Sequence, residues 1–315
     1  MRFVLALLVA GAVGCIPAPV YRVQRTARVP HPAAPLRTGE PLAGPIELPV
    51  GASTIGDVTK PELVDKHASI EVAREQMRAE LRIRLGERGE MTAIYESAIG
   101  ETVALDPTQA PVEDGMPNGW GLGFRRSIDT GAPGLSVGVG LEAMVIQIPY
   151  VEHRTCIEWC DENSVPTYEM QSGYESVSTF GVSVIPTYRT GNLAVFAGAY
   201  TRRHPTIKRK GEELYADSSD VDRDVDGGNY NLMLNAGLEY RLPVVSVLAT
   251  MQQDLTADPV QYGPSFGLAI AFRVPDTKPR HIDPEPTPVP AAPTYGPPGD
   301  PRGTDRDATL PDDPW

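Results

Sequence analysis

In Asn229-Tyr230-Asn231-Leu232-Met233-Leu234-Asn235-Ala236-Gly237-Leu238-Glu239-Tyr240-Arg241-Leu242, every even position is apolar or tyrosine. The odd positions are Asn, Asn, Met, Asn, Gly, Glu and Arg. A period of two is the signature of a strand, because successive side chains point to opposite faces. The same period runs through residues 262–274, Trp120–Arg125, Leu135–Ala143 and Phe180–Arg189. It recurs with more noise in 192–203 and 243–253. Seven strands follow from alternation alone.

The faces of these strands are unusual. A soluble sandwich points its apolar face inward and covers the other with Lys, Glu and Thr. Here the second face is Gly, Ser, Ala and Asn with single charges. Apolar residues outward and small or polar residues inward is the arrangement of a transmembrane β-barrel. Tyr230 and Tyr240 stand ten residues apart on the apolar face, as do Tyr262 and Phe272. Ten tilted strand residues rise about 25 Å, the height of a lipid-facing band between two aromatic girdles. The connections alternate between short (127–132, Thr190-Gly191, Leu242-Pro243) and long (151–173, 204–228, then 254–261). Short turns belong on the periplasmic side of such a barrel and long loops outside. This spacing requires one more ascending strand, for which residues 91–105 are the candidate. The expectation is therefore an eight-stranded up-and-down antiparallel barrel over 91–274, with both ends periplasmic.

Ahead of it, Thr59-Lys60-Pro61-Glu62 reads as a capping box. No Gly or Pro follows until Gly86, and Leu63, Ile70, Met77 and Leu81 fall on one helical stripe. Residues 59–90 are thus expected to hold one amphipathic helix. The flanks are proline-rich: 8 prolines lie in 16–50 and 12 in 275–315, of 32 in the chain. Proline restricts itself and its predecessor to extended conformations. Residues 15–58 read as a tether and 275–315 as a disordered acidic tail, both solvated.

The N-terminus carries an address. Residues 1–14 have one leading positive charge, an apolar stretch too short to span a bilayer, and small residues at its end. Ala12-Val13-Gly14-Cys15 resembles the lipobox of bacterial lipoproteins. The resemblance implies cleavage before Cys15 and a lipid on its sulfur. The absence of Asp after Cys15 implies sorting to the outer membrane of a Gram-negative envelope.

Few residues point to chemistry. Net charge is −13, which opposes nucleic-acid binding. No HExxH, GxSxG, Walker or dinucleotide fingerprint occurs, so no enzymatic activity is expected. Cys156 and Cys160 lie in one loop, and exported thiols oxidise, so a disulfide is expected. Zinc bound by His153, Cys156, Cys160 and a carboxylate is the alternative. Asp222, Asp224, Asp226 and Gly227 match the opening of an EF-hand-like calcium loop, without its closing Glu. No cofactor is expected, with calcium at Asp222, Asp224 and Asp226 the one candidate. Arg202, Arg203, His204, Lys208, Arg209 and Lys210 form a basic group suited to anionic lipopolysaccharide. The expected function is that of a non-enzymatic outer-membrane lipoprotein in envelope structure or surface interaction. Its partners would be membrane lipid through Cys15 and lipopolysaccharide or an envelope protein. The alternative is a soluble lipid-anchored sandwich or barrel that binds a small ligand or partner protein.

Overall fold

The computed structural model describes residues 20–59, 68–105, 111–158, 160, 168–203, 206–207, 213–215, 225–226, 230–256 and 261–276. Eleven strands of nine or more residues form one sheet. They are β1 (Val20–Pro30), β2 (Ile46–Ile55), β3 (Ala68–Leu85), β4 (Gly89–Ala104), β5 (Asn118–Asp129) and β6 (Leu135–Glu158). Then come β7 (Tyr168–Thr190), β8 (Leu193–Arg203), β9 (Tyr230–Arg241), β10 (Val245–Asp254) and β11 (Ser265–Arg273). Strands β2 to β11 pair antiparallel in chain order, and β11 closes on β2 from Ser265 opposite Ile55 to Arg273 opposite Glu47. The wall is a closed barrel of ten strands, so it has no free edge.

The barrel corrects two expectations. It has ten strands, not eight, and no helix lies among the described residues. The two unforeseen staves are β2, in the proline-rich flank, and β3, in the segment 59–90 expected to be helical. In β3, Gln76, Arg78, Glu80 and Arg82 are buried while Leu81, Ile83 and Leu85 are exposed. That is strand alternation, and antiparallel neighbours on both sides hold it: β2 (Met77 opposite Ala52) and β4 (Met77 opposite Ser97). Gly86, expected as a helix stop, sits at φ +69° in the turn into β4, where its missing Cβ suits the left-handed conformation.

One end of the wall carries short turns, at 86–88, 130–134, 191–192 and 242–244. The other carries the long connections between β4 and β5, β6 and β7, β8 and β9, and β10 and β11. The expected sidedness of short and long connections is therefore present. The stretch 151–173, expected as a loop, is largely strand: β6 and β7 stay paired out to Thr155 opposite Tyr168.

Strand β1 is not a stave. Arg25 to Pro30 runs parallel to Ala68–Ala73 of β3, and Val20 to Ala27 runs antiparallel to Glu158–Tyr150 of β6. Residues 31–45 then descend without regular structure inside the barrel until β2 begins at Ile46. Residues 25–38, placed in a solvated tether by their proline content, are all buried. The N-terminal segment is a plug. It enters at the long-loop end, so the two ends of the described chain do not share a side as the sequence had implied.

Candidate functional site

The lumen is the most structured polar site in the molecule, and both wall and plug build it. Ten strands enclose more room than eight, whose interior side chains alone can fill. The excess is taken up by the plug's backbone. Glycines on the inner face make room for it. A Cβ on Gly138 would lie 2.8 Å from the Gly39 Cα. Two gaps beside the plug among the described residues measure about 20 and 10 Å³, room for about one water each, and an open cleft of about 460 Å³ meets the plug at Glu40 and Pro41 by the turn 130–134.

The plug changes character along its descent. At the long-loop end it is sealed by an apolar cluster of Ala27, Val29, Ile70, Val72, Ile146, Ile148 and Tyr262. Beside this cluster, Arg28 pairs with Glu71 at 2.9 Å and donates to the carbonyls of Gly115 and Val112. One step lower, His31 lies 3.1 Å from the Ala73 carbonyl and 2.9 Å from Ser53 Oγ. Gln252 donates to the Pro32 carbonyl at 2.9 Å. At mid-height Leu36 packs among Ile185, Phe196, Leu248 and Ala269. Its carbonyl accepts from Arg82. Arg37 then pairs with Glu90 at 3.1 Å. Arg125 donates to the carbonyls of Thr38 and Glu40. Ser127 Oγ donates to the Gly39 carbonyl at 2.8 Å, and the Gly39 amide donates to Thr187 Oγ1 at 2.6 Å. At the short-turn end the Glu40 carboxylate lies between Arg189 and Arg241.

Proline suits this segment for a physical reason. A buried backbone must satisfy every N–H and C=O. Pro30, Pro32 and Pro35 present carbonyls and no N–H. An irregular buried chain then needs donors chiefly, and the wall supplies them from arginine, glutamine and serine.

Around the plug, the wall pairs its own charges. Arg78 contacts Glu80 at 2.7 Å, Glu142 at 2.8 Å and Glu96. Arg82 joins Glu80 at 2.8 Å and Glu47 at 2.9 Å. Arg125 meets Glu90 at 2.8 Å, and Arg202 meets Glu96 at 2.8 Å. Tyr200 donates to Glu142. Charges taken out of water are costly unless each has a partner. Here every carboxylate of this group faces at least one guanidinium.

The outer face is the reverse. Tyr230, Leu232, Leu234, Leu238 and Tyr240 of β9 all point out and are exposed. So do Trp120, Leu122 and Phe124 of β5, and Phe266, Leu268, Ile270 and Phe272 of β11. The expected Tyr262–Phe272 pair is not on this face, since Tyr262 is buried in the upper cluster. The outward aromatics of β11 are Phe266 and Phe272, six residues apart, so the ten-residue spacing expected here is absent.

The other expected site residues divide. Cys156 and Cys160 are joined by a disulfide at the end of β6. No group of three His, Cys, Asp or Glu suited to a metal occurs among the described residues. Cys15, Asp222 and Asp224 lie outside the described residues, and of Asp226 only the backbone is described. Arg202, expected in a basic outer loop, points into the lumen and pairs with Glu96. His204, Lys208, Arg209 and Lys210 lie outside the described residues. The sequence reading missed the luminal network itself. Its one available signal was the run of arginine and glutamate at every second position of 78–82.

No protein-family model and no curated protein sequence matches the chain. Among solved structures it is similar to LpxR from Salmonella typhimurium, with a TM-score of 0.35 and 9% identity over 72% of this chain and 100% of that one. The translocator domain of the autotransporter NalP from Neisseria meningitidis gives a TM-score of 0.31 and 10% identity, over 87% and 95%. The β domain of the Bordetella autotransporter Brka gives 0.34 and 11%, over 74% and 100%. The assignment of a closed barrel rests on the strand pairing described above.

Proposed function

We propose that this chain is a non-enzymatic outer-membrane lipoprotein whose barrel spans the bilayer, sealed by its own N-terminal segment, and acts in envelope structure or surface interaction. One observation carries the reading: the wall sorts its residues inside out. Large apolar side chains are exposed and charges are buried in pairs, which water on the outside would not favour and a bilayer does. The soluble alternative asks for an apolar ligand pocket. The described lumen is polar and filled. The same filling favours a scaffold over a diffusion pore.

In this reading the paired arms of β6 and β7 stand out beyond β5 on the cell surface, with the Cys156–Cys160 bridge at the end of β6. They would meet lipopolysaccharide or an envelope protein. Cys15 would carry the lipid, as its lipobox resemblance implies.

A spin label on a cysteine at Leu234, in the full chain reconstituted into vesicles, tests the membrane reading. It is expected to be reached by lipid-soluble quenchers and shielded from aqueous ones. Shielding from both would mean that a protein core covers this face, and would overturn the proposal. Cys15→Ser is expected to accumulate uncleaved precursor without incorporated fatty acid, and normal maturation would remove the lipoprotein part.

A further inference from the structure

We infer that the plug pins the chain ahead of Val20 to the outer surface of the cell, on the face opposite to the one where the last stave ends. The inference rests on the membrane-spanning reading above and adds the direction in which the chain threads the barrel.

The direction is fixed by contacts at successive heights. Val20 stands opposite Glu158 of β6 and Tyr215 of the β8–β9 connection, both at the long-loop end. His31 has moved down to Ala73 and Ser53, and Leu36 to Glu80 and Arg82. Glu40 has reached Arg189 and Arg241, beside the short turns 191–192 and 242–244. The chain reverses there and climbs as β2, while β11 comes down to end at Arg273 opposite Glu47. In spanning barrels the short turns face the periplasm and the longer loops face out. Val20 is therefore on the outside and Arg273 on the inside.

Distance then decides where a lipid on Cys15 inserts. Val20 lies five positions after Cys15, and those five steps, fully extended, reach about 18 Å. The apolar band is about 25 Å tall, and the lumen is already occupied by residues 25–38. Cys15 cannot return to the periplasmic side. A lipid on Cys15 would then enter the outer leaflet.

An epitope inserted between Ala18 and Pro19 of the full chain tests this, with a second epitope after Trp315 and a third between Ser218 and Ser219. Antibody is applied to intact cells and again after permeabilisation. The first and third epitopes are expected to bind on intact cells, and the second only after permeabilisation. If the first behaves like the second while the third is exposed, the threading is overturned and the spanning barrel stands. If the third is itself hidden, the spanning reading has failed. A second measurement needs no surface labelling. His31→Cys with Ser53→Cys, in the full chain, is expected to be bridged by a short bismaleimide, which adds each thiol across one of its double bonds, and to give a mobility shift lost on omitting either cysteine. Absence of that bridge, with both thiols reactive singly, would place the segment outside the lumen and overturn the inference.

Discussion

Leu234 and Asn235 are neighbours in the chain and opposites in the barrel. Leu234 is 48% exposed on the outer face and Asn235 is 3% exposed in the lumen. The outer face carries no charge along β9, whose Glu239 and Arg241 both belong to the inner face, while the inner face concentrates charge and pairs it. The difference shows which solvent each face was built for. A water-filled lumen would leave its arginines and glutamates hydrated and their spacing loose. Here partners sit within about 3 Å and the plug takes the place of water, so the lumen is a protein core made of polar parts. Such a core is sensitive to the loss of any one partner. The outer face is sensitive only to polarity.

The largest test of that contrast is Glu142→Ala. Glu142 accepts from Arg78 at 2.8 Å and from Tyr200, and stands 3.9 Å from Arg37 of the plug. Removing it leaves Arg78 with Glu80 and Glu96 but takes one negative charge out of a buried network, and a buried charge left uncompensated costs about 3–5 kcal/mol when the site is dry. Urea unfolding of the detergent-folded barrel is expected to report that loss. A cost under about 1 kcal/mol, the level of an exposed pair, would mean that water reaches the network.

Next in size is Leu234→Arg. A basic residue at the midplane of the lipid face costs about 2–4 kcal/mol. The measurement is the fraction folded in vesicles compared with a loosely packing detergent. The defect should shrink in detergent if lipid is its cause. An equal defect in both would make Leu234 a core residue and remove the distinction between the faces.

Gly138→Ala separates wall from plug. The added methyl would meet the Gly39 backbone at 2.8 Å, and overpacking of this kind costs about 1–3 kcal/mol. From the wall itself the methyl would meet only the end of the Arg125 side chain, at 3.3 Å. The expected result is a plug newly cut by protease at Arg37 while the wall stays heat-resistant. Unchanged protection of Arg37 would show that the plug does not press on β6.

Strands β3 and β9 explain what the sequence made legible. In β9 alternation coincides with residues that favour strands or lipid, so period and composition agree. In β3, Gln76-Met77-Arg78-Ala79-Glu80-Leu81-Arg82-Ile83-Arg84-Leu85 alternates just as strictly, but almost every residue is a good helix former. The stripe Leu63, Ile70, Met77 and Leu81 offered a second period. Tertiary pairing overrode propensity, and the reason lies far away in the chain. Arg82 finds Glu47, 35 residues away, and Arg78 finds Glu142, 64 residues away. Local reading cannot see such partners, so a charged strand face looked like a solvated helix face. The plug was hidden for a related reason. Its residues meet different staves in turn and need no period, and prolines that suggest a free chain are here the residues with no amide to satisfy. The disulfide was legible because its partners lie four residues apart.

The smallest effect is expected one residue from the second largest. Neither the amide nitrogen nor the amide oxygen of Asn235 has a hydrogen-bond partner among the described residues. Its neighbours across the sheet are Gly198 on β8 and Gln252 on β10. An unsatisfied buried amide contributes no hydrogen bond and keeps its desolvation cost. Leucine has a similar branched outline, and volume-conserving swaps in a packed core usually cost less than about 1.5 kcal/mol. Asn235→Leu should therefore unfold within about 1 kcal/mol of the parent in urea, on either side. This site reports dryness where Glu142 reports pairing. If Asn235→Leu costs more than about 2 kcal/mol, the amide was bound to water, and the lumen at the level of Gly198 is wet. The contrast between faces would then narrow to one between lipid and a hydrated interior, with the ionic belt of β3 to β6 as its dry part.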